Sequence, residues 1–293
     1  MANLGFVGLG QMGGPMSRNL VAAGHPVRVY DLDPAAVAAV VAVGATAAAS
    51  PAEAARGAEV VFTMLPVGAI VEAACFGPEG VAEGIAPGAT LVDMSTILPA
   101  ETRRIGARFA RQGVAMVDAP VGRTSAHAVT ASLTFMVGGE PADVERVRPL
   151  LMAMGEHVTV CGPLGAGATM KLVNNCVSAV INLATAEGLA MGLKAGLELD
   201  AMVEVLGQTP AGRGHLTTAW TEKALKDDPS PAFMLDLASK DLGLAVELAA
   251  ALQVPLAAAA VSRQLYQVAQ AQGRGREDWT TGVFRTLKSL GRT

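Results

Sequence analysis

Aromatic residues are scarce in this 293-residue chain: seven Phe, two Tyr and two Trp, 4% of the total. Any core must therefore be filled by Ala, Val, Leu and Met, within a hydrophobic fraction of 51%. Cysteine is scarcer still. Cys75, Cys161 and Cys176 lie far apart, which excludes a disulfide framework and offers no metal-ligand spacing. The four histidines (His25, His127, His157 and His215) are not spaced as ligands either, so no metal is expected. Charged residues make up only 16%, and the net charge of −4 comes with no basic run, which argues against nucleic acid or an anionic membrane surface as partner. No apolar run reaches the roughly 18 uninterrupted residues of a membrane span. The most hydrophobic stretch is broken by Glu247, Gln253 and Pro255. The start, Met1-Ala2-Asn3-Leu4, has no basic n-region. A soluble, cytoplasmic protein is expected.

Glycine, by contrast, is abundant, and its placement near the start is informative. The apolar run Leu4–Val7 leads into Gly8-Leu9-Gly10-Gln11-Met12-Gly13, and a second run, Val27–Tyr30, ends on Asp31. Strand, glycine turn, helix, strand and acid in this order form the layout of a dinucleotide-binding unit. Gly8 would permit the tight turn, Gly10 the approach of a pyrophosphate, and Gly13 close packing of helix on strand. The helix N-terminus offers free N–H groups to phosphates. Asp31 sits where a carboxylate accepts hydrogen bonds from ribose hydroxyls and repels a 2′-phosphate, so NAD is favoured over NADP.

Short β-rich runs alternate with alanine-rich helical ones through the first half. Strands are expected at Leu4–Val7, Val27–Tyr30, Val60–Thr63, Thr90–Asp93, Met116–Asp118, Leu133–Val137 and Val158–Val160. Helices are expected at Gln11–Ala23, Pro34–Val43, Pro66–Ala74 and Pro99–Gln112. Proline near the first turn marks starts at Asp33-Pro34, Ser50-Pro51 and Leu98-Pro99. Alternation of this kind implies an α/β, doubly wound, mostly parallel sheet. After Gly162 the β signal stops. One long helix, Ala168 to Leu193, is followed by an all-helical remainder broken at Pro210–Gly214, Asp227–Pro231 and Gly273–Arg276. The expected division is residues 1–162, a Rossmann domain, and residues 163–293, an all-α domain for substrate binding and oligomerisation that includes the helix 168–193.

Within that helix Lys171, Asn175, Ser178 and Asn182 fall in a narrow arc at about 100° per residue, with Asn174 at its edge. Two readings are open. The seam is either a solvated face, or a polar lining whose groups, costing about 1–3 kcal/mol each if buried unpaired, await a ligand. A lysine with amides and a hydroxyl, in place of the usual Glu and Arg, suits orientation of a substrate and general acid or base chemistry.

Together these segments resemble the β-hydroxyacid dehydrogenases, the family of 3-hydroxyisobutyrate dehydrogenase, over essentially the whole length. Gly8–Met16 is similar to the family's cofactor fingerprint. Met64-Leu65-Pro66 and Asp93-Met94-Ser95-Thr96 are similar to its two loops near the nicotinamide. Asp118-Ala119-Pro120-Val121 resembles the opening of its substrate segment, Lys171–Asn175 its catalytic segment, and Lys240-Asp241-Leu242 its C-domain motif. The resemblance implies a 6-phosphogluconate dehydrogenase-like fold and reversible NAD(P)-dependent oxidation of a small 3-hydroxy acid. It makes Lys171 the catalytic lysine, assisted by Asn175. Gln11, Met12, Leu65, Pro66 and Thr96 would contact the cofactor, over which Lys240 would close. A homodimer or homotetramer is implied as well.

One departure stands out. Where the family continues Ser-Gly-Gly after Asp-Ala-Pro-Val, this chain has Gly122-Arg123-Thr124. Arg123 either points to solvent or a carboxylate, or presents a planar, always-charged fork to a strong oxyanion such as a sulfonate. The variant resembles one subgroup, the 3-sulfolactaldehyde reductases of sulfoquinovose degradation. The likeness includes Val121–Ala126, Ala211–His215, Ser230–Met234 and Gly273–Arg276 with Asp278-Trp279. By that resemblance Arg123, with Gly122, Thr124, Asn174, Asn175 and Ser178, would hold a small anionic aldehyde. The alternatives are a succinic semialdehyde reductase or 3-hydroxyisobutyrate dehydrogenase acting on carboxylates, and a non-catalytic NAD-binding sensor or scaffold. His215 is a candidate for a segment over the cleft, and His127 is expected near solvent. Trp220 and Trp279 are expected as packing anchors.

Overall fold

A computed structural model describes residues 1–290, apart from the side chains of Leu244 and Leu248. It divides into two compact units, Met1–Asn175 and Cys176–Thr293, so the division falls inside the long helix.

The first unit is built on a sheet of strands β1 (Leu4–Val7), β2 (Val27–Tyr30), β3 (Thr46–Ala47), β4 (Val60–Thr63), β5 (Thr90–Asp93), β6 (Ala115–Asp118), β7 (Val121–Gly122), β8 (Leu133–Gly138) and β9 (Gly155–Gly162). Their order is β3-β2-β1-β4-β5-β6-β8-β7, with β9 paired to β8. From β3 to β6 all pairs are parallel, while β8 runs antiparallel to β6 and β7. Strands β1, β4 and β5 are buried at every residue, which is why they read as unbroken apolar runs rather than alternating ones. The pleat still sorts them. Phe6 and Phe62 join one hydrophobic cluster, and their neighbours Val7 and Val61 join another. The chain order reverses between β1 and β4. A crevice at the carboxyl ends of such strands is where ligands bind in doubly wound sheets.

The three proline-marked helix starts hold, at Pro34–Val41, Pro51–Ala55 and Pro99–Ala110. Asp33 accepts from the Ala35 N–H and Ser50 from that of Glu53, so the first two starts have side-chain caps, while at the third Glu101 reaches back to accept from the Leu98 N–H. Two expected starts shift. The first helix runs Gly13–Ala22 rather than Gln11–Ala23, because Gly10–Met12 form the turn. The expected Pro66–Ala74 is Gly68–Phe76, because Val67 is extended and leaves Pro66 in the preceding loop. Strands β3 and β7, two residues each, are too short to leave a periodic signal. The expected Val158–Val160 grows to Gly155–Gly162 along β8, with register irregularities.

The long helix spans Ala166–Lys194. By length and composition it could cross a bilayer, but Lys171, Asn174, Asn175 and Asn182 would then need partners in lipid. Its apolar stripe Val173, Val177, Val180 and Ile181 lies on the side away from the Lys171–Asn182 seam, and each of the four is at least half exposed.

The second unit is helical. Its larger helices are Leu199–Gln208, Leu235–Ala251, Ala257–Ala271 and Trp279–Leu290. The expected break at Pro210–Gly214 is a single turn, Pro210–Arg213, that stops at Gly214 with φ +93°. Buried Asp278 joins two segments singled out in the sequence: it accepts from the N–H groups of Ala232 and Phe233 and from both N–H and hydroxyl of Thr280. The Trp279 ring meets His215 edge-on at 5.0 Å and Phe233 at 6.1 Å.

Candidate active site

The glycine turn after β1 shows why each glycine is needed. A Cβ on Gly8, whose φ is +96°, would lie 2.3 Å from the Met64 carbonyl oxygen, and one on Gly13 would lie 1.9 Å from that of Gly8. Both are required by the protein's own packing. Gly10 differs: it is exposed, and a Cβ there would meet nothing within 4 Å. The space outside Gly10 is what a pyrophosphate would use, so the turn fits a dinucleotide. A groove of about 490 Å³ begins there, between Gly10, Gln11, Arg18 and Asp33 on one side and Ser125 and Ala126 on the other. Met12 is half-buried beneath the turn.

Asp31 follows β2 and has a role the sequence did not disclose. Its Oδ2 accepts from the Leu9 N–H at 2.5 Å and its Oδ1 from the Asp33 N–H at 2.8 Å. The carboxylate holds the turn in shape, and each oxygen keeps a lone pair for a ribose hydroxyl.

The loops after β4 and β5 are tied together by a buried network that sequence reasoning missed. Asp93, at the end of β5, accepts from the Thr63 hydroxyl at 2.8 Å and the Ser95 N–H at 3.2 Å. The Ser95 hydroxyl in turn accepts from the Leu65 N–H at 2.9 Å. Burial pushes the Asp93 carboxyl above its ordinary value, and the hydrogen bonds from Ser95 and Thr63 oppose that. Half-buried Leu65 and exposed Pro66 and Thr96 are thus presented on braced loops. The available signal was a polar residue, Thr63 or Asp93, ending an otherwise apolar buried strand.

Arg123 follows β7 and the buried Gly122, and its φ is +74°, a conformation that favours glycine. Its Nη1 donates to the Ser132 carbonyl at 2.6 Å and to Glu156 at 3.0 Å. Both partners of the ion pair are solvent-accessible, so the pair is a weak restraint. Nε and Nη2 have no partner among the described residues. Thr124 meets the half-buried His127 through its hydroxyl, 2.9 Å from Nδ1.

The start of the long helix positions Lys171. The residue before it, Gly165, has no side chain to cap it, yet the helix is capped. Asp118 at the end of β6 accepts from the Gly165 N–H at 2.7 Å and from the Ala168 N–H at 2.6 Å. Lys171 follows one turn on, half-buried, with its ammonium pushed below the usual lysine range by desolvation. Asn174 and Asn175 are exposed and bond each other, amide to carbonyl, at 3.3 Å. Ser178 and Lys240 belong to the second unit. Ser178 is exposed, and Lys240 is exposed and pairs with neighbouring Asp241 at 3.0 Å. In that unit His215 has a buried Nδ1 without a hydrogen-bond partner, against the Trp279 ring.

A glycine turn closed by an aspartate, at the switch point of a doubly wound sheet, fits a dinucleotide-binding protein of the α/β class. Comparison with known proteins narrows this. Residues 3–162 match the family model described as the NAD binding domain of 6-phosphogluconate dehydrogenase. Residues 165–285 match that described as the NAD-binding of NADP-dependent 3-hydroxyisobutyrate dehydrogenase. The chain is 46% identical over 293 residues to 3-sulfolactaldehyde reductase of Escherichia coli (strain K12), covering 100% of this chain and 98% of that protein. It is 40% identical over 288 residues to NAD-dependent L-serine dehydrogenase of Pseudomonas aeruginosa, covering 96% of each. Among solved structures, Mycobacterium tuberculosis 3-hydroxyisobutyrate dehydrogenase with L-serine superposes with a TM-score of 0.69 at 34% identity, covering 98% of this chain and 99% of that one. The chain belongs to the β-hydroxyacid dehydrogenase family, the relatives of 3-hydroxyisobutyrate dehydrogenase. It is an oxidoreductase of the hydroxyacid dehydrogenase type, and its cofactor is NAD.

Proposed function

We propose that the protein reduces 3-sulfolactaldehyde with NADH to 2,3-dihydroxypropane-1-sulfonate, as a cytoplasmic enzyme of sulfoquinovose breakdown. The observation that carries this reading is the backbone of Arg123. An L-residue in that conformation costs roughly 1–2 kcal/mol relative to glycine, so a side chain kept there serves a purpose other than folding. A guanidinium at the substrate segment suits the three oxygens of a sulfonate. The similarity to a 3-sulfolactaldehyde reductase along the full chain supports the same substrate.

Bound NADH supplies a hydride to the carbonyl carbon. The Lys171 ammonium donates a proton to the carbonyl oxygen and is reprotonated from solvent. Its lowered pKa brings the proton closer to transfer at neutral pH. Asn175 orients the lysine and the substrate oxygen. Arg123, with Gly122, Thr124, Asn174 and Ser178, holds the sulfonate and the hydroxyl. When NAD is bound, Gly10 and Gln11 would contact the pyrophosphate on the turn that Gly8, Met12 and Gly13 shape. Asp31 would take the ribose, and Leu65, Pro66, Thr96 and Lys240 would contact the nicotinamide half. The exposed stripe Val173–Ile181 suits a second copy of the chain, in a homodimer or homotetramer.

A second reading, turnover of a carboxylate, is favoured by the similarity to an L-serine dehydrogenase. Steady-state NADH oxidation with 3-sulfolactaldehyde, succinic semialdehyde and methylmalonate semialdehyde decides between them. The expected result is the highest kcat/KM for the sulfonate, lost selectively in Arg123→Ala. Lys171→Ala is expected to lower kcat by about 10²–10⁴ on every substrate. Equal loss in Arg123→Ala on sulfonate and carboxylates would overturn its role in selecting the sulfonate.

A further inference from the structure

We propose that Asp118 is the positioning residue of the reaction: its carboxylate, reaching from the end of β6, sets the first turn of the long helix and thereby the placement of Lys171. This rests on the reading of Lys171 as proton donor. The group is 1% exposed, and both oxygens are committed to the helix start, one to Gly165 N–H and one to Ala168 N–H. A local cap cannot do this, because the capping position is Gly165, with φ +91°. Two further glycines make room for the carboxylate. A Cβ on Gly138 would stand 2.4 Å from its Oδ1, and one on Gly167 would stand 2.9 Å from its Oδ2. The same residue opens the segment that runs through β7 to Arg123. One side chain therefore ties the substrate segment to the helix that carries the lysine.

The arrangement requires the ionised carboxylate, since only that form accepts with both oxygens. Protonation turns one oxygen into a donor facing an N–H, and one of the two bonds is lost. Burial pushes the Asp118 carboxyl up to about 6. The bonds from Gly165 and Ala168 oppose this, and the nearby Asp93 charge adds to it. The groups around it are Asp93, in register on β5; the Cys161 thiol of β9, itself pushed up by burial; and, over Gly165, Arg103 of Pro99–Ala110. Above that value the helix start is set, and below it the setting is lost.

Three measurements on the full-length protein test this. In the wild type, kcat is expected to fall as pH drops through about 6. The protection of the Gly165 and Ala168 amides, their exchange relative to the intrinsic rate at each pH, is expected to fall over the same range. Asp118→Asn, with one acceptor oxygen, should have kcat lowered about 10–100-fold with little change in KM for NADH. It should also lack the acid limb, matching the low-pH wild type at every pH. The double variant Asp118→Asn, Lys171→Met should be no slower than Lys171→Met alone, because both act through one group. Additive losses, or an acid limb retained in Asp118→Asn, would overturn the proposal. Unchanged turnover in Lys171→Met would overturn the reading of Lys171 instead. Protection factors at Gly165 and Ala168 that stay constant through about pH 6 in the wild type refute the cap even if Asp118→Asn does not fold.

Discussion

In the first unit Phe6, Phe62, Phe109 and Phe135 are fully buried, and two hydrophobic clusters pack the sheet. In the second, the buried apolar residues among those described are four alanines with Met202, Leu235 and Leu256, while Phe233, Leu199, Val203, Val205 and Val261 stay exposed. The first unit closes its core on itself. The second is held by polar ties as much as by packing. Asp278 clamps Ala232 and Phe233, and Glu187 accepts from the N–H groups of Ala258 and Ala259 at the start of a helix whose own cap position is Leu256. A chain poor in aromatics has enough bulk for one dense core, and it concentrates that bulk under the cofactor-binding sheet. Apolar surface is left on the long helix, at Val173, Val177, Val180 and Ile181.

The contrast can be broken by substitution, beginning where the effect is largest. Phe62→Ala empties the centre of the first unit and should lower stability by about 3–5 kcal/mol in chemical denaturation. A loss under about 1 kcal/mol would mean that the sheet is not the stability core. Val177→Ser combined with Val180→Ser should leave the fold intact but shift the protein toward monomer in sedimentation equilibrium, since both side chains are over half exposed. Unchanged mass would show that the stripe is not an interface. The smallest effect has the opposite sign. Arg123→Gly relieves the strained backbone and should raise stability by roughly 1–2 kcal/mol, while kcat/KM on the sulfonate aldehyde drops. Destabilisation would mean that the contacts to Ser132 and Glu156 outweigh the strain.

Much of the first unit was legible. Leu4–Val7, Val27–Tyr30, Val60–Thr63 and Thr90–Asp93 are strands with the expected ends; three of them are buried at every residue and read as short, mostly apolar runs, while Val27–Tyr30 leaves Arg28 exposed. Proline near the first turn announced three helices. Strands β3 and β7 were not legible, since two residues carry no period. The polar seam on the long helix was visible as periodicity, but whether it was buried was not. The structure leaves Asn174, Asn175 and Ser178 exposed and Lys171 half-buried.

By itself the sequence determined the doubly wound class and the glycine turn, because local steric demands and hydrophobic period are written in neighbouring positions. Only the tertiary structure decided how the strand-end acids are used. Asp31 holds the glycine turn, Asp93 braces two loops and Asp118 caps a helix 47 residues further along the chain. Apart from the Ser95 N–H, two residues on from Asp93, these bonds join side chains to groups 22 to 47 residues away in the sequence. Burial then requires that every N–H so enclosed find a partner, whichever residue the fold brings near.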